Sequence, residues 1–144
     1  GGSVTWIIVT GFIGGVAVAV QASLAGIISE RLGLLENAVV VFGTGALAAL
    51  ALIFLNGGGK LRELSAVPWY VYLAGPMGII IISSLGLAIP RIGVGATLTL
   101  VVTSQLITGV ILDHFGWLTA PHALDPKRLA GMGLLLLGTW IVLR

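Results

Sequence analysis

The sequence predicts an all-α integral membrane protein with five transmembrane helices per chain. Three observations lead there. Of 144 residues, 58% are hydrophobic and 8% charged, and mean hydropathy is +1.15; soluble domains carry about 25% charged residues. A soluble fold could not cover so much apolar surface, since a domain of about 150 residues buries only ~70% of its unfolded area. The uncharged stretches are apolar on every face, without the two-residue alternation of a barrel strand. Gly stands at 22 of 144, well above its usual share of ~7%. It has no collagen period, and suits helices packed closely in lipid.

Crossing about 30 Å of hydrocarbon takes about 20 apolar residues. The first span is placed at residues 4–29. It lacks a basic leader and is too long for a signal peptide, although Ala17, Ala19 and Ala22 resemble a cleavage region. Gly1-Gly2-Ser3, without Met, reads as a remnant outside the fold. The second span is placed at 38–56, with Asn37 as its N-cap. The third, 68–89, opens on Pro68 and an interfacial belt of Trp69, Tyr70 and Tyr72. Pro76 should kink it and Pro90 should end it. The fourth, 93–112, follows a tight connection through Gly93 and Gly95. The fifth, 126–143, has Asp125 as N-cap and Pro126 in its first turn. Lys127 and Arg128 can extend it by snorkelling. The chain is read as a single transmembrane domain over 1–144.

Five crossings put the termini on opposite sides. The N-terminal side, side A, holds Lys60, Arg62, Lys127 and Arg128; side B holds Arg31, Arg91 and Arg144. So small a bias hardly sets orientation under the positive-inside rule. It permits a single topology with a cytoplasmic N-terminus, and equally dual topology. A transporter built from inverted repeats needs an oppositely oriented second unit. That unit would be a second copy of this chain in an antiparallel homodimer, or an oppositely inserted paralogue.

Glu30, Glu36, Glu63, Asp113 and Asp125 all fall near predicted helix ends, so no carboxylate is expected at the bilayer centre. That disfavours proton-coupled cation exchange, although Glu30 or Asp113 can face an aqueous vestibule. Two amides remain deep in the spans. Gln21 shares a helical face with Thr10, Gly14, Ala17 and Ala25; Gln105 shares one with Thr97, Val101, Ser104 and Thr108. Two readings stand for these faces: hydrogen-bonded glue between helices, or the lining of a neutral polar cavity. Gly11, Gly15, Ala19 and Ala22 form a second small stripe on the first helix, and Gly131 and Gly138 share a face of the fifth; both are read as packing surfaces.

Other chemistry finds little support. Zero Cys excludes disulfides, thiolate metal sites and a Cys nucleophile. A net charge of +2 from so few groups indicates no nucleic-acid partner. His114 and His122, with Asp113 and Asp125, match no closed metal site. Gly57-Gly58-Gly59-Lys60 lacks the first half of a phosphate-binding loop, and no nucleophile elbow or dinucleotide fingerprint occurs. No enzyme, cofactor or metal is expected.

The segment Ser104-Gln105-Leu106 through Asp113-His114-Phe115-Gly116-Trp117 resembles a signature of the YdcZ family, bacterial inner-membrane exporters of the drug/metabolite transporter superfamily. The family pattern is Gly-Gln-Leu, apolar residues, then Asp-His-Phe-Gly; here Ser104 replaces the Gly. Val20-Gln21-Ala22, Gly43 to Gly45, Trp69 with Gly75 and Gly78, and Leu129-Ala130-Gly131 are similar to further family features. Two departures are Leu24-Ala25-Gly26, where the family often has Asn after the early Gln, and Pro76. The resemblance implies transport without naming a cargo.

The combined expectation is a small transporter of the bacterial inner membrane. Two antiparallel chains enclose a cavity lined by Gln21, Gln105, Ser104, Thr108 and Thr10, and move a small solute by alternating access. The alternatives are a structural or regulatory membrane subunit that moves nothing, and, more weakly, a pore.

Overall fold

The computed structural model describes residues 2–117 and 125–144. They are almost wholly helical, with no strand among them. The elements are α1 (Gly2–Leu32), α2 (Leu34–Leu55), two 3-10 turns (Leu61–Ala66 and Trp69–Leu73), α3 (Ala74–Ile92), α4 (Val94–Phe115) and α5 (Pro126–Leu143). Five spans are long and apolar enough to cross a membrane, the third being Trp69–Ile92. The chain divides into two units, Gly1–Arg91 and Ile92–Arg144.

Several boundaries differ from the sequence expectation. Gly2 and Ser3 belong to α1 rather than lying outside the fold. α2 begins at Leu34, and its N-cap is Gly33, not Asn37. One residue therefore joins α1 to α2. Gly33 takes φ 122° and ψ 167°, a conformation that a Cβ would oppose. Asn37 is released from capping and buried inside α2, where its Nδ2 donates to the Ile82 carbonyl of α3 at 3.4 Å. In the third span the aromatic belt forms a 3-10 turn and the α-helix starts at Ala74. Pro76 is thus the third residue of α3. An N–H there has no intrahelical partner to lose, so the expected interior kink has no cause. Pro90 lies inside α3 instead of ending it. Lacking an N–H, it leaves the Gly86 carbonyl without its usual i+4 donor. α4 runs three residues past Leu112 and closes on Gly116 in the left-handed region, whose N–H donates to the Leu112 carbonyl at 2.9 Å. At α5 the Asp125 side chain caps as expected, accepting the Arg128 N–H at 2.8 Å.

Burial in unit 1 is confined to the side-B halves of its helices. Ala22, Ala25 and Gly26 of α1, Asn37 and Ala38 of α2, and Ile82, Leu85 and Gly86 of α3 are buried. From Val4 to Val18, α1 is exposed throughout. The contacts of α1 with α3 are reciprocal. Gly26 lies against Ile89, and Gly86 lies against Ser29. These pairs exchange under a shift of 60 residues, the pattern of a local two-fold. The shift carries further: Ser23, Gly26, Arg31 and Gly33 recur as Ser83, Gly86, Arg91 and Gly93. Both hinge glycines have positive φ and ψ 167°. Each hinge carbonyl accepts an N–H from four residues on, Asn37 at 3.0 Å and Thr97 at 3.2 Å. The exposure pattern of residues 21–30 is repeated residue for residue in 81–90. The chain therefore contains two copies of one helix–glycine–helix motif, followed by α5.

A Cβ added at Gly86 would sit 2.8 Å from Ser29 Oγ and 2.9 Å from Ser29 Cβ. Overpacking of that kind costs about 1–3 kcal/mol, against up to ~1 kcal/mol gained in helix propensity. Gly86→Ala should lower the thermal unfolding midpoint in detergent, and adding Ser29→Gly should restore most of it. An equal loss with and without Ser29→Gly would contradict this packing.

Candidate polar site in the membrane spans

Helix geometry places the two deep amides near mid-membrane. Gln21 lies ten residues before Arg31, about 15 Å along α1, and Gln105 lies eight before Asp113, about 12 Å along α4. Both side chains are exposed in the chain, and neither is hydrogen-bonded among the described residues. Each leaves two donors and an acceptor to be met from outside the chain.

The accompanying hydroxyls are held differently. Thr10 Oγ1 donates to the Ile7 carbonyl at 2.9 Å. Ser104 Oγ donates back to the Leu100 or Val101 carbonyl, each at 3.0 Å. Thr108 Oγ1 donates to the Ser104 carbonyl at 2.8 Å. These protons are satisfied within their own helices, and the oxygen lone pairs remain available outward. All three side chains are exposed. Unit 1 therefore carries Thr10 and Gln21, and unit 2 carries Ser104, Gln105 and Thr108 along one α4 face. The small stripe of α1 is buried at Ala22 and exposed at Gly11 and Gly15. With Ile8, Phe12 and Val16, Gly11, Gly15 and Ala19 line a shallow groove of about 590 Å³. A Cβ at Gly11 or Gly15 would meet nothing within 4 Å.

Four other polar side chains hold places that sequence reasoning did not assign them. Asn37 Oδ1 and Thr97 Oγ1 are buried without a hydrogen-bond partner. They occupy equivalent places one turn after the two hinge glycines. In unit 2, Thr103 Oγ1 and Thr139 Oγ1 meet between α4 and α5. Each can also donate to its own helix, to Thr99 O and Leu135 O at 2.7 Å. One proton thus bridges the helices while the other turns back. Gly131 and Gly138 line a groove beside this pair, and a Cβ added at either would meet nothing within 4 Å. The 60-residue recurrence could have flagged Thr97. Thr139 follows Gly138, yet nothing local distinguishes it from a back-bonded helix threonine.

Aromatic rings mark the ends of the spans. Phe115 stacks on Trp117 at 4.9 Å, with His114 edge-on to Phe115 at 5.0 Å. Arg144 lies 4.7 Å above the Trp140 ring. Such amphipathic side chains sit at membrane–water boundaries. His122, weighed above as a metal ligand, lies outside the described residues.

Five apolar spans, polar groups held at mid-depth and aromatic ends define a small multi-pass helical membrane protein. Over residues 6–141 the chain matches the family described as "Putative inner membrane exporter, YdcZ". It belongs to that family, whose proteins are assigned to the inner membrane. Comparison with curated proteins and with solved structures gave no match.

Interhelical hydrogen bonds in membranes are worth about 0.6 kcal/mol on average and up to ~2. Thr103→Val and Thr139→Val should each destabilise the detergent-solubilised protein by that amount. The double variant should lose less than the sum of the two. Strict additivity would show that the hydroxyls do not interact.

Proposed function

We propose that the chain is one half of an alternating-access exporter, completed by a second chain of opposite orientation. The cavity between the two is lined by Gln21, Gln105, Ser104, Thr108 and Thr10. The observation that carries this reading is the pair of exposed, unpartnered amides near mid-membrane. A polar group bare in hydrocarbon costs several kcal/mol, so these faces require protein or solute against them. The open stripe at Gly11 and Gly15 supports it, because small residues serve close helix approach and none occurs there among the described residues.

An odd number of crossings makes inversion the natural way to pair two copies. Termini on opposite sides let one sequence supply both halves of an inverted pair. The near balance of Lys and Arg between the two sides leaves either orientation open. A neutral lining that offers amide donors, amide acceptors and hydroxyl lone pairs suits a small polar or amphipathic solute better than a bare cation.

The test is flux in proteoliposomes holding the full chain, challenged with a panel of neutral polar and amphipathic solutes. Saturable uptake of at least one solute is expected. Gln21→Ala and Gln105→Ala should each reduce it at least tenfold while the protein remains monodisperse and inserted. Unchanged flux in both variants would remove the amides from the site. Absence of saturable flux, with stable capture of a specific membrane partner, would favour a non-transporting subunit.

A further inference from the structure

A second polar feature lies wholly within unit 1, at its side-B end. Ser29, Glu30, Gly33, Gly86, Pro90 and Arg91 contribute to a cavity of about 460 Å³ between the ends of α1 and α3. That volume lies in the range of small-molecule sites, about 300–1,000 Å³. The other grooves within unit 1 are lined almost entirely by apolar side chains.

Its polar groups are largely unspent. Among the described residues, Glu30 forms no ion pair and Ser29 Oγ no hydrogen bond, although Arg91 lines the same cavity. Arg91 uses one guanidinium nitrogen on the Leu87 carbonyl, which leaves most of its donors free. Pro90 removes the i+4 donor from the Gly86 carbonyl, and in a right-handed helix that carbonyl points along α3 toward Pro90. The lining thus brings together a carboxylate and a hydroxyl from α1 with a guanidinium and a carbonyl relieved of its i+4 donor from α3.

The internal repeat sharpens the point. The two motifs agree at Gly26/Gly86, Arg31/Arg91 and Gly33/Gly93, which build the crossing and the hinges. Among the many positions that differ are Ser29/Ile89 and Glu30/Pro90. The scaffold residues are shared, while the residues giving the cavity its hydroxyl, its carboxylate and its free carbonyl differ.

We propose that this cavity is a binding site, separate from the mid-membrane amides, for a group bearing a primary ammonium close to a phosphate. The ammonium has three N–H donors, matched by the Glu30 carboxylate, Ser29 Oγ and the Gly86 carbonyl. Arg91 takes the phosphate, whose oxygens suit the guanidinium fork. Such a group occurs on a free solute and on a phosphatidylethanolamine headgroup.

The test uses the full chain in phosphatidylcholine nanodiscs, titrated calorimetrically with O-phosphoethanolamine. Saturable heat is expected, with affinity reduced at least tenfold in Glu30→Gln and in Arg91→Gln and partly kept in Arg91→Lys. Glu30 and Arg91 are exposed, so these variants should keep wild-type helicity and elution. Repeating the titration in phosphatidylethanolamine nanodiscs separates the sources. Loss of the heat there identifies the headgroup as occupant, and unchanged heat identifies a free solute; either supports the site. No saturable heat in phosphatidylcholine, or equal affinity in wild type, Glu30→Gln and Arg91→Gln, would overturn it. Because the readout is binding, its failure leaves the proposed transport site untouched.

Discussion

The single-residue reversal at Gly33 is the constraint on which unit 1 depends. One residue cannot span the distance between two separated helix ends, so α1 and α2 must meet at side B. Only glycine holds φ 122° there at little cost. Once the ends are fixed, burial follows: Ala22, Ala25 and Gly26 against Asn37 and Ala38, and the reciprocal crossing of α1 with α3. The farther a residue lies from the hinge, the less the chain itself covers it. The first half of α1 is accordingly bare, and with it Thr10, Gly11 and Gly15.

That bareness has two meanings in a membrane protein. Lipid satisfies an exposed Phe12 or Ile13 without further help, since acyl chains are as apolar as the side chains themselves. It does not satisfy an exposed Gln21 or Gln105. Polarity therefore separates surface that faces lipid from surface that awaits protein or solute. Gln21 and Gln105 are both exposed in the chain, and the second chain proposed above would cover them.

Much of this was legible in the sequence. The five spans follow from charge-free length alone, and Asp125-Pro126 marked the start of α5 correctly because both signals act locally. The errors arose where local signals were overridden. Asn37 looks like an N-cap, yet its amide reaches Ile82 and the cap falls to Gly33. Pro76 looks like a kink only when the preceding belt is taken as α-helix; the belt is a 3-10 turn, so Pro76 enters the first turn. The faces that carry Gln21 and Gln105 are divided: Ala25 and Thr97 are buried within the chain, while both amides are exposed. The 60-residue repeat was present throughout in Arg-Leu-Gly-Leu and Arg-Ile-Gly-Val. It is faint in the sequence, because the identical residues are few and Asn37 recurs as Thr97. Cohesion at side B needs only small residues and a hinge, so the rest of each motif was free to diverge.

The claim that a second, oppositely oriented copy completes the chain is tested most directly by topology. The native chain has no Cys, so single cysteines report cleanly. Leu32→Cys at the end of α1 on side B and Ser65→Cys in the side-A connection are both exposed positions, and both leave the hinge glycine unchanged. Each is labelled in intact cells with a membrane-impermeant maleimide, against total labelling after permeabilisation. The antiparallel homodimer predicts that both cysteines label in intact cells, each in a fraction near half of the total. Full labelling of one position and none of the other would contradict it.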